Sequence, residues 1–213
     1  MPEPGHIVWS SPRPLRPGQD LVLFLHGFGG SEADWEPAFA MLPEGAVGAA
    51  LRGPINVNGH HAWGDFGPRH YPSTRGLPQL DAVASGVLSW LDQWSSRRVS
   101  VVGWSQGGAL AVHLLRQAPR RFVAAAVVAG FVWDLRPCPP LARAHPPVWY
   151  GLGDQDEVIK PDLAKASKKW LRAHTSAQLV QIPEAGHILT ASLLSDAMDF
   201  TATTLSQPES RGR

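Results

Sequence analysis

The sequence predicts an α/β fold in which a mostly parallel central sheet is flanked by helices. Short runs that are apolar throughout, such as Leu21–His26 and Val99–Gly103, alternate with longer segments whose apolar residues recur at helical spacing. A strand that is apolar on both faces is typical of a parallel sheet that helices cover on both sides. Regular alternation of strands and helices therefore predicts a layered α/β protein.

The predicted elements follow one another along the chain. Strands are expected at Leu21–His26, Val47–Leu51, Val99–Gly103, Val123–Phe131, Val148–Leu152 and Leu179–Ile182. Helices are expected at Gln79–Trp94, at Gly107–Ala118, from Pro161 between the last two strands, and at Leu189–Leu205. In the first helix Leu80, Val83 and Val87 share one face. Pro119 ends the second helix, and Pro161 fits the first turn of the third.

Length and composition indicate one domain over residues 1–213, with a Pro-rich arm at 1–18 and a flexible tail at 207–213. The net charge of +1, from 19 basic and 18 acidic side chains, argues against a nucleic-acid-binding protein. A hydrophobic content of 44% argues against disorder. The 21 Gly and 20 Pro residues show no repeat, which predicts many tight turns.

A cytoplasmic location is expected from the N-terminal residues, from the lengths of the apolar runs and from the cysteine content. Residues 1–20 lack the pattern of a secretory signal, and no apolar run approaches the ~20 residues that cross a membrane. Cys138 is the only cysteine, so no disulfide can form within the chain, which fits a reducing compartment.

Loops that follow predicted strands carry the candidate functional residues. In open parallel sheets ligands bind beyond the carboxyl ends of the strands. The segments in that position are His26–Gly30, Gly103–Gly107, Gly153–Val158 and the loop around His187. We therefore expect these four segments to converge on one site.

Gly103–Gly107 fits G-x-S-x-G between a strand and a helix, the context of a nucleophile on a tight turn. Ser105 is the predicted nucleophile, with an ordinary helix N-cap as the alternative. An oxyanion needs two backbone N–H donors, for which Gln106 and Phe28 are the candidates. The alternative for the loop at Phe28 is a plain glycine turn, whereas a phosphate-binding loop would need a nearby lysine.

The loop histidine before the last helix, His187, is the predicted base, because the order in this type of sheet is Ser, acid, His. Asp154, Asp156 and Glu157 all follow the preceding strand, and spacing alone leaves the choice of acid open. No H-E-x-x-H or Cys/His cluster is present, so we expect no metal and no cofactor. His26 is expected to hold the glycine loop.

The chain resembles α/β-hydrolases of the phospholipase/carboxylesterase family, which includes acyl-protein thioesterases. The resemblance runs from about Asp20 to Thr190. It is carried by the segments Leu21–Gly27, Ser31–Trp35, Leu51–Pro54, Gly59–Trp63 and Gly103–Gly108, the last similar to the family's G-[FW]-S-Q-G-G. Pro147–Ile159 is similar to the family's acid motif G-x-x-D-x-V without a gap when Asp156 is the acid, which favours Asp156 over Asp154.

This resemblance implies a serine carboxylesterase that acts on short- to medium-chain carboxylic esters through a Ser-His-Asp triad and an acyl-enzyme. An acyl-thioesterase or lysophospholipase on the same scaffold is the alternative, and a non-catalytic ligand-binding homologue is a further one. The expected partner is a small-molecule ester, and family members often form homodimers.

The substrate pocket is the least specified part of the prediction. Trp63, Phe66 and Trp104 are candidates to line an apolar acyl site, with ordinary core packing as the alternative for each. The connection between Phe131 and Pro147 is short and Pro-rich, so it has no room for a separate lid domain. We therefore expect an open cleft.

Overall fold

The computed structural model describes residues 5–12, 15–65 and 76–207. Its strands are β1 (Ile7–Trp9), β2 (Asp20–Leu25), β3 (Ala46–Leu51), β4 (Ile55–Val57), β5 (His60–Ala62), β6 (Val99–Trp104), β7 (Ala124–Val128), β8 (Pro147–Gly153) and β9 (Ser176–Ile182). Within these ranges seven strands form one sheet in the order β1-β3-β2-β6-β7-β8-β9. β1 is antiparallel to β3, and the other neighbouring pairs are parallel. β4 and β5 form a separate antiparallel hairpin.

The helices are α1 (Leu77–Leu91), α2 (Gln106–Gln117), α3 (Pro139–Ala144), α4 (Pro161–His174) and α5 (Ala191–Ser206), with a 3₁₀ helix at Glu32–Met41. Buried apolar side chains of α1, α2 and α4 belong to one hydrophobic cluster, and those of the 3₁₀ helix and α5 belong to a second. None of the described helices is both long and apolar enough to span a membrane.

Strand β2 shows why the central strands are apolar throughout. Leu21, Leu23 and Leu25 pack into the first cluster, whereas Val22 and Phe24 pack into the second. Successive side chains point to opposite faces of a sheet, so a strand with helices on both faces needs an apolar residue at every position. This arrangement confirms the predicted mostly parallel sheet flanked by helices.

Three short elements were not predicted from the sequence: β1, the β4–β5 hairpin and α3. Each strand has three residues and α3 has six, too few for a hydrophobic period to be recognised. β1 lies inside the predicted arm at 1–18, so part of that arm is an edge strand. Residues 1–4 and 13–14 of the arm, and 208–213 of the predicted tail, are outside the described ranges.

The predicted strand Val123–Phe131 is longer than the strand β7 that forms. The backbone leaves the extended conformation at Ala129, where φ is +45°. Ala129 and Phe131 nevertheless remain buried in the first cluster. The apolar run therefore indicates which residues are buried, and burial continues past the end of the strand.

Candidate active site

Ser105 lies at a sharp turn between β6 and α2. Its backbone has φ +54° and ψ −113°, a strained conformation for a residue with a side chain. Its N–H donates to the carbonyl of Val128 at 2.9 Å, which fixes the turn against β7. The neighbouring glycines make this turn possible, because a Cβ on Gly103 would lie 2.3 Å from the carbonyl oxygen of Gly107.

Gly107 allows the start of α2 to contact the end of β2. A Cβ at this position would lie 2.0 Å from the carbonyl oxygen of Leu25. We expect Gly107→Ala to destabilise the fold by at least about 2 kcal/mol and to lower Tm by about 4–8 °C, measured by thermal unfolding. Gly186→Ala is the control, because its Cβ would meet only Gln155 O, at 3.8 Å. Equal Tm values for the two variants would contradict the close approach.

His187 joins Ser105 to Asp156. Its Nε2 is 2.9 Å from Ser105 Oγ, and its Nδ1 is 2.7 Å from Asp156 Oδ2. A carboxylate only accepts hydrogen bonds, so Nδ1 carries the proton and Nε2 is left to accept the O–H of Ser105. In this tautomer the imidazole is ready to take up the serine proton.

Asp156 is held as a carboxylate. Burial alone would raise its pKa, but the hydrogen bond from His187 and the backbone N–H groups of Ile159 and Val158 together hold the pKa of Asp156 below its usual value. Those N–H groups lie 2.7 Å and 2.9 Å from Oδ1. Asp156 therefore faces His187 as an anion throughout the neutral pH range.

The other two candidate acids do not face His187. Asp154 is exposed, and its Oδ1 accepts the N–H of Glu184 at 2.7 Å, which ties the loop after β8 to the loop after β9. Glu157 is exposed as well. Of the three carboxylates that follow β8, the structure thus brings Asp156 into contact with His187.

The candidate oxyanion donors lie on two adjoining segments. Gln106 is the first residue of α2, and the N–H groups of a first helical turn have no acceptor within the helix. Phe28 lies in the loop after β2, and a Cβ on the preceding Gly27 would be 3.4 Å from Ser105 Cβ. The loop therefore packs directly against the turn that carries Ser105.

Hydrogen bonds join each of these two segments to the β4–β5 hairpin or to the residues that follow it. Gln106 Oε1 accepts the N–H of Trp63 at 2.7 Å, and its Nε2 donates to the carbonyl of Gly64 at 2.9 Å. The N–H of Gly29 donates to the carbonyl of His61 at 2.9 Å. The β4–β5 hairpin, which was not predicted, thus supports the glycine loop.

Two of the three predicted pocket residues are among the described residues, and they differ in how deeply they are buried. Trp63 is fully buried in the first cluster, and its Nε1 donates to the carbonyl of His26 at 2.8 Å, so it supports the glycine loop and has no surface to offer a substrate. Trp104 is half-buried and stacks on His187, with 5.9 Å between the ring centroids. Phe66 is outside the described residues.

Arg52 and His26 make contacts that their spacing in the sequence could not predict. Arg52, in the segment Leu51–Pro54, pairs with the buried carboxylate of Glu32 through Nε and Nη2, one donor to each carboxylate oxygen. His26 bonds to both Gly27 and Gly53. Across the described ranges, no group of three or more His, Cys, Asp or Glu residues is arranged to hold a metal ion.

Comparison with known proteins gives a family match. A model of the phospholipase/carboxylesterase family matches residues 83–205, which is more than half of the chain. The matched part contains β6, α2 and every element from β7 to α5.

Solved structures with the same fold include the Bacillus cereus carboxylesterase and Zea mays acyl-protein thioesterase 2. The first is 20% identical with a TM-score of 0.73, and the match covers 93% of each chain. The second is 19% identical with a TM-score of 0.75, covering 94% of this chain and 98% of the other. At these identities the likeness concerns the fold.

Two curated proteins share part of the sequence. The dihydrolipoyllysine-residue acetyltransferase component of the acetoin cleaving system of Cupriavidus necator is 33% identical over 112 residues, 53% of this chain. The chloroplastic protein PHYLLO of Arabidopsis thaliana is 26% identical over 112 residues, 52% of this chain. The matches span only 27% and 6% of those proteins.

Proposed function

The chain belongs to the phospholipase/carboxylesterase family, and from this premise we propose that it is a hydrolase of ester substrates, a serine carboxylesterase that acts on short- to medium-chain esters through Ser105. The observation that carries the proposal is the continuous line of hydrogen bonds from Ser105 through His187 to Asp156. This arrangement is the one that activates a serine hydroxyl for nucleophilic attack.

In the first half of the reaction an acyl-enzyme forms. Ser105 Oγ bonds to the ester carbonyl carbon while its proton moves to Nε2 of His187. The buried carboxylate of Asp156 stabilises the imidazolium that results. The carbonyl oxygen becomes an oxyanion, for which the backbone N–H groups of Phe28 and Gln106 are the proposed donors. When the carbon–oxygen bond to the alcohol breaks, His187 gives its proton to the leaving oxygen.

The second half returns the enzyme to its starting state. Water gives a proton to His187 as its oxygen bonds to the acyl carbon. The bond between the acyl carbon and Ser105 Oγ then breaks, and His187 returns the proton to Oγ. The sum is one ester and one water converted to one carboxylic acid and one alcohol.

The preference for short and medium acyl chains rests on the connection between β7 and β8. Residues 129–146 contain α3, a helix of six residues, and no further helix or strand. Such a connection does not form a cap domain that could enclose a long chain, which supports an open cleft.

Acyl-thioester hydrolysis is the second candidate activity. The observation that favours it is the fold shared with Zea mays acyl-protein thioesterase 2 at a TM-score of 0.75. The same attack by Ser105 would release a thiol in place of an alcohol. Lysophospholipids are a further ester class that this chemistry could hydrolyse.

Covalent labelling tests the proposed nucleophile. A fluorophosphonate reacts with an activated serine by forming an oxygen–phosphorus bond and releasing fluoride. We expect intact-mass analysis to show one adduct, and peptide mapping to locate it on Ser105. A label on another residue, or no label, would contradict the proposal.

A substrate panel tests the proposed specificity. p-Nitrophenyl esters of increasing acyl length, acyl-thioesters and lysophospholipids should be compared by kcat/KM under one set of conditions. We expect the highest values for short and medium oxygen esters. Activity that keeps rising with emulsified long-chain triglyceride would contradict an open cleft, and a preference for acyl-thioesters would establish the second candidate.

We also propose that the chain forms a single domain, is located in the cytoplasm and assembles as a homodimer. Composition supports the first two, and the family resemblance supports the third.

A further inference from the structure

The ring of His26 is fully buried and makes a hydrogen bond at each nitrogen. Its Nδ1 is 2.6 Å from the carbonyl oxygen of Gly27, and its Nε2 accepts the N–H of Gly53 at 2.9 Å. Because a carbonyl only accepts and a backbone N–H only donates, these partners allow one tautomer, with the proton on Nδ1. His26 thus donates to the first glycine of the loop that carries Phe28.

The carbonyl of Gly27 shares a peptide plane with the N–H of Phe28. This peptide is trans, so the two groups point in opposite directions. The carbonyl is held by His26 and also accepts the N–H of Gly30 at 3.1 Å. With the oxygen fixed in this way, the N–H of Phe28 points away from His26.

The same peptide lies beside the nucleophile. A Cβ on Gly27 would lie 3.4 Å from Ser105 Cβ and 2.8 Å from the Trp104 ring. We propose that His26 is a positioning residue, which orients the Gly27–Phe28 peptide so that the Phe28 N–H can donate to the oxyanion. This role rests on the function proposed above, and it assigns a catalytic consequence to a side chain that does not contact substrate.

A rigid frame holds the far side of His26. Gly53, its second partner, follows Arg52, whose guanidinium pairs with the buried Glu32. A Cβ on Gly53 would lie 2.4 Å from the carbonyl oxygen of Ala62, so this backbone is packed tightly against β5. Arg52 and Gly53, which lie in the segment Leu51–Pro54, therefore support the ring that orients the loop.

The protonation state of His26 agrees with this role. Burial lowers the pKa of His26 below its usual value, although its hydrogen bond to Gly27 acts in the opposite direction. The neutral ring keeps a lone pair on Nε2, which an imidazolium would lack. The hydrogen bond from Gly53 is therefore retained at neutral pH.

Substitutions that mimic one ring nitrogen of His26 but not the other test the proposal. An Asn amide reaches about as far as Nδ1 and can donate to Gly27, whereas a Gln amide reaches about as far as Nε2. Removing an oxyanion donor lowers kcat by about 10²–10³-fold, and a misdirected donor retains part of its effect. We expect His26→Gln to lower kcat for a p-nitrophenyl ester by about 10–100-fold with KM within about 3-fold. His26→Asn should recover part of this loss.

A transition-state probe separates positioning from general destabilisation. An alkyl boronic acid forms a tetrahedral adduct with an active-site serine, and one oxygen of the adduct takes the place of the oxyanion. We expect its inhibition constant to rise in His26→Gln by the same factor as kcat falls. A purely structural role would change Tm and the fraction of active protein without this correlation.

The matched control is His113, a second buried histidine, which lies on α2 with its Nε2 2.6 Å from Asp81 Oδ1 of α1. We expect His113→Gln to lower Tm with kcat unchanged. If the wild type is active but His26→Gln keeps kcat within 2-fold, or His113→Gln loses as much kcat, the positioning role is wrong. If the wild type neither hydrolyses esters nor reacts with a fluorophosphonate, the proposed function itself fails.

Discussion

Ser105→Ala is expected to lower kcat/KM for p-nitrophenyl esters by about 10⁵–10⁶-fold, because it removes the only atom that can form the acyl-enzyme. Residual hydrolysis would come from the oxyanion donors and from substrate binding, which remain. We expect the variant to fold, because Ala is no larger than Ser and bears the strained backbone at this position equally well. The measurement is steady-state hydrolysis, with a thermal unfolding curve to show that the fold is intact.

Ser100→Ala is the matched control for this experiment. Ser100 lies on β6, the strand that leads to Ser105, is buried, and its Oγ has no hydrogen-bond partner among the described residues. Removing a buried hydroxyl that makes no hydrogen bond is neutral or stabilising. We expect Ser100→Ala to keep full activity. An active Ser105→Ala variant would show that the nucleophile is another group.

Asp156→Asn is expected to lower kcat by about 10⁴-fold with a smaller effect on KM. The Asn amide can donate to Nδ1 of His187, which favours the tautomer with the proton on Nε2. In that tautomer His187 cannot accept the proton of Ser105, and the anion that stabilises the imidazolium is lost as well. Steady-state kinetics at neutral pH measures the effect.

Asp154→Asn distinguishes the two carboxylates of this loop. Asp154 is exposed and accepts the N–H of Glu184, and an Asn side chain can accept the same hydrogen bond. We therefore expect Asp154→Asn to change kcat by less than about 3-fold, since surface substitutions of this kind have small effects. If Asp154→Asn lost more activity than Asp156→Asn, the assignment of the acid would be reversed.

The fold could be predicted because its signals are local. β2 alternates its apolar side chains between two clusters, and the uninterrupted apolar run that this requires is visible in five consecutive residues, Leu21–Leu25. Short elements without such a pattern, above all the β4–β5 hairpin, could not be predicted. They form because distant partners pair with them, as when His61 accepts the N–H of Gly29.

For the candidate site, the sequence predicted several of the residues but not the contacts between them. Spacing indicated Ser105 and His187, but it left the three carboxylates after β8 equivalent until the family resemblance favoured Asp156. Trp63 was assigned to the pocket because an aromatic side chain near a cleft can serve either substrate or core. Its burial beneath the glycine loop decides for the core.

By itself the sequence determined the layers of the fold and the turn at Ser105, because strand periodicity and the glycines of a tight turn act over a few residues. The tertiary structure decided which carboxylate faces His187 and how the glycine loop is held. Those outcomes depend on hydrogen bonds between segments far apart in the chain, such as the 2.9 Å contact of His26 with Gly53. Such contacts form only when the sheet brings the segments together.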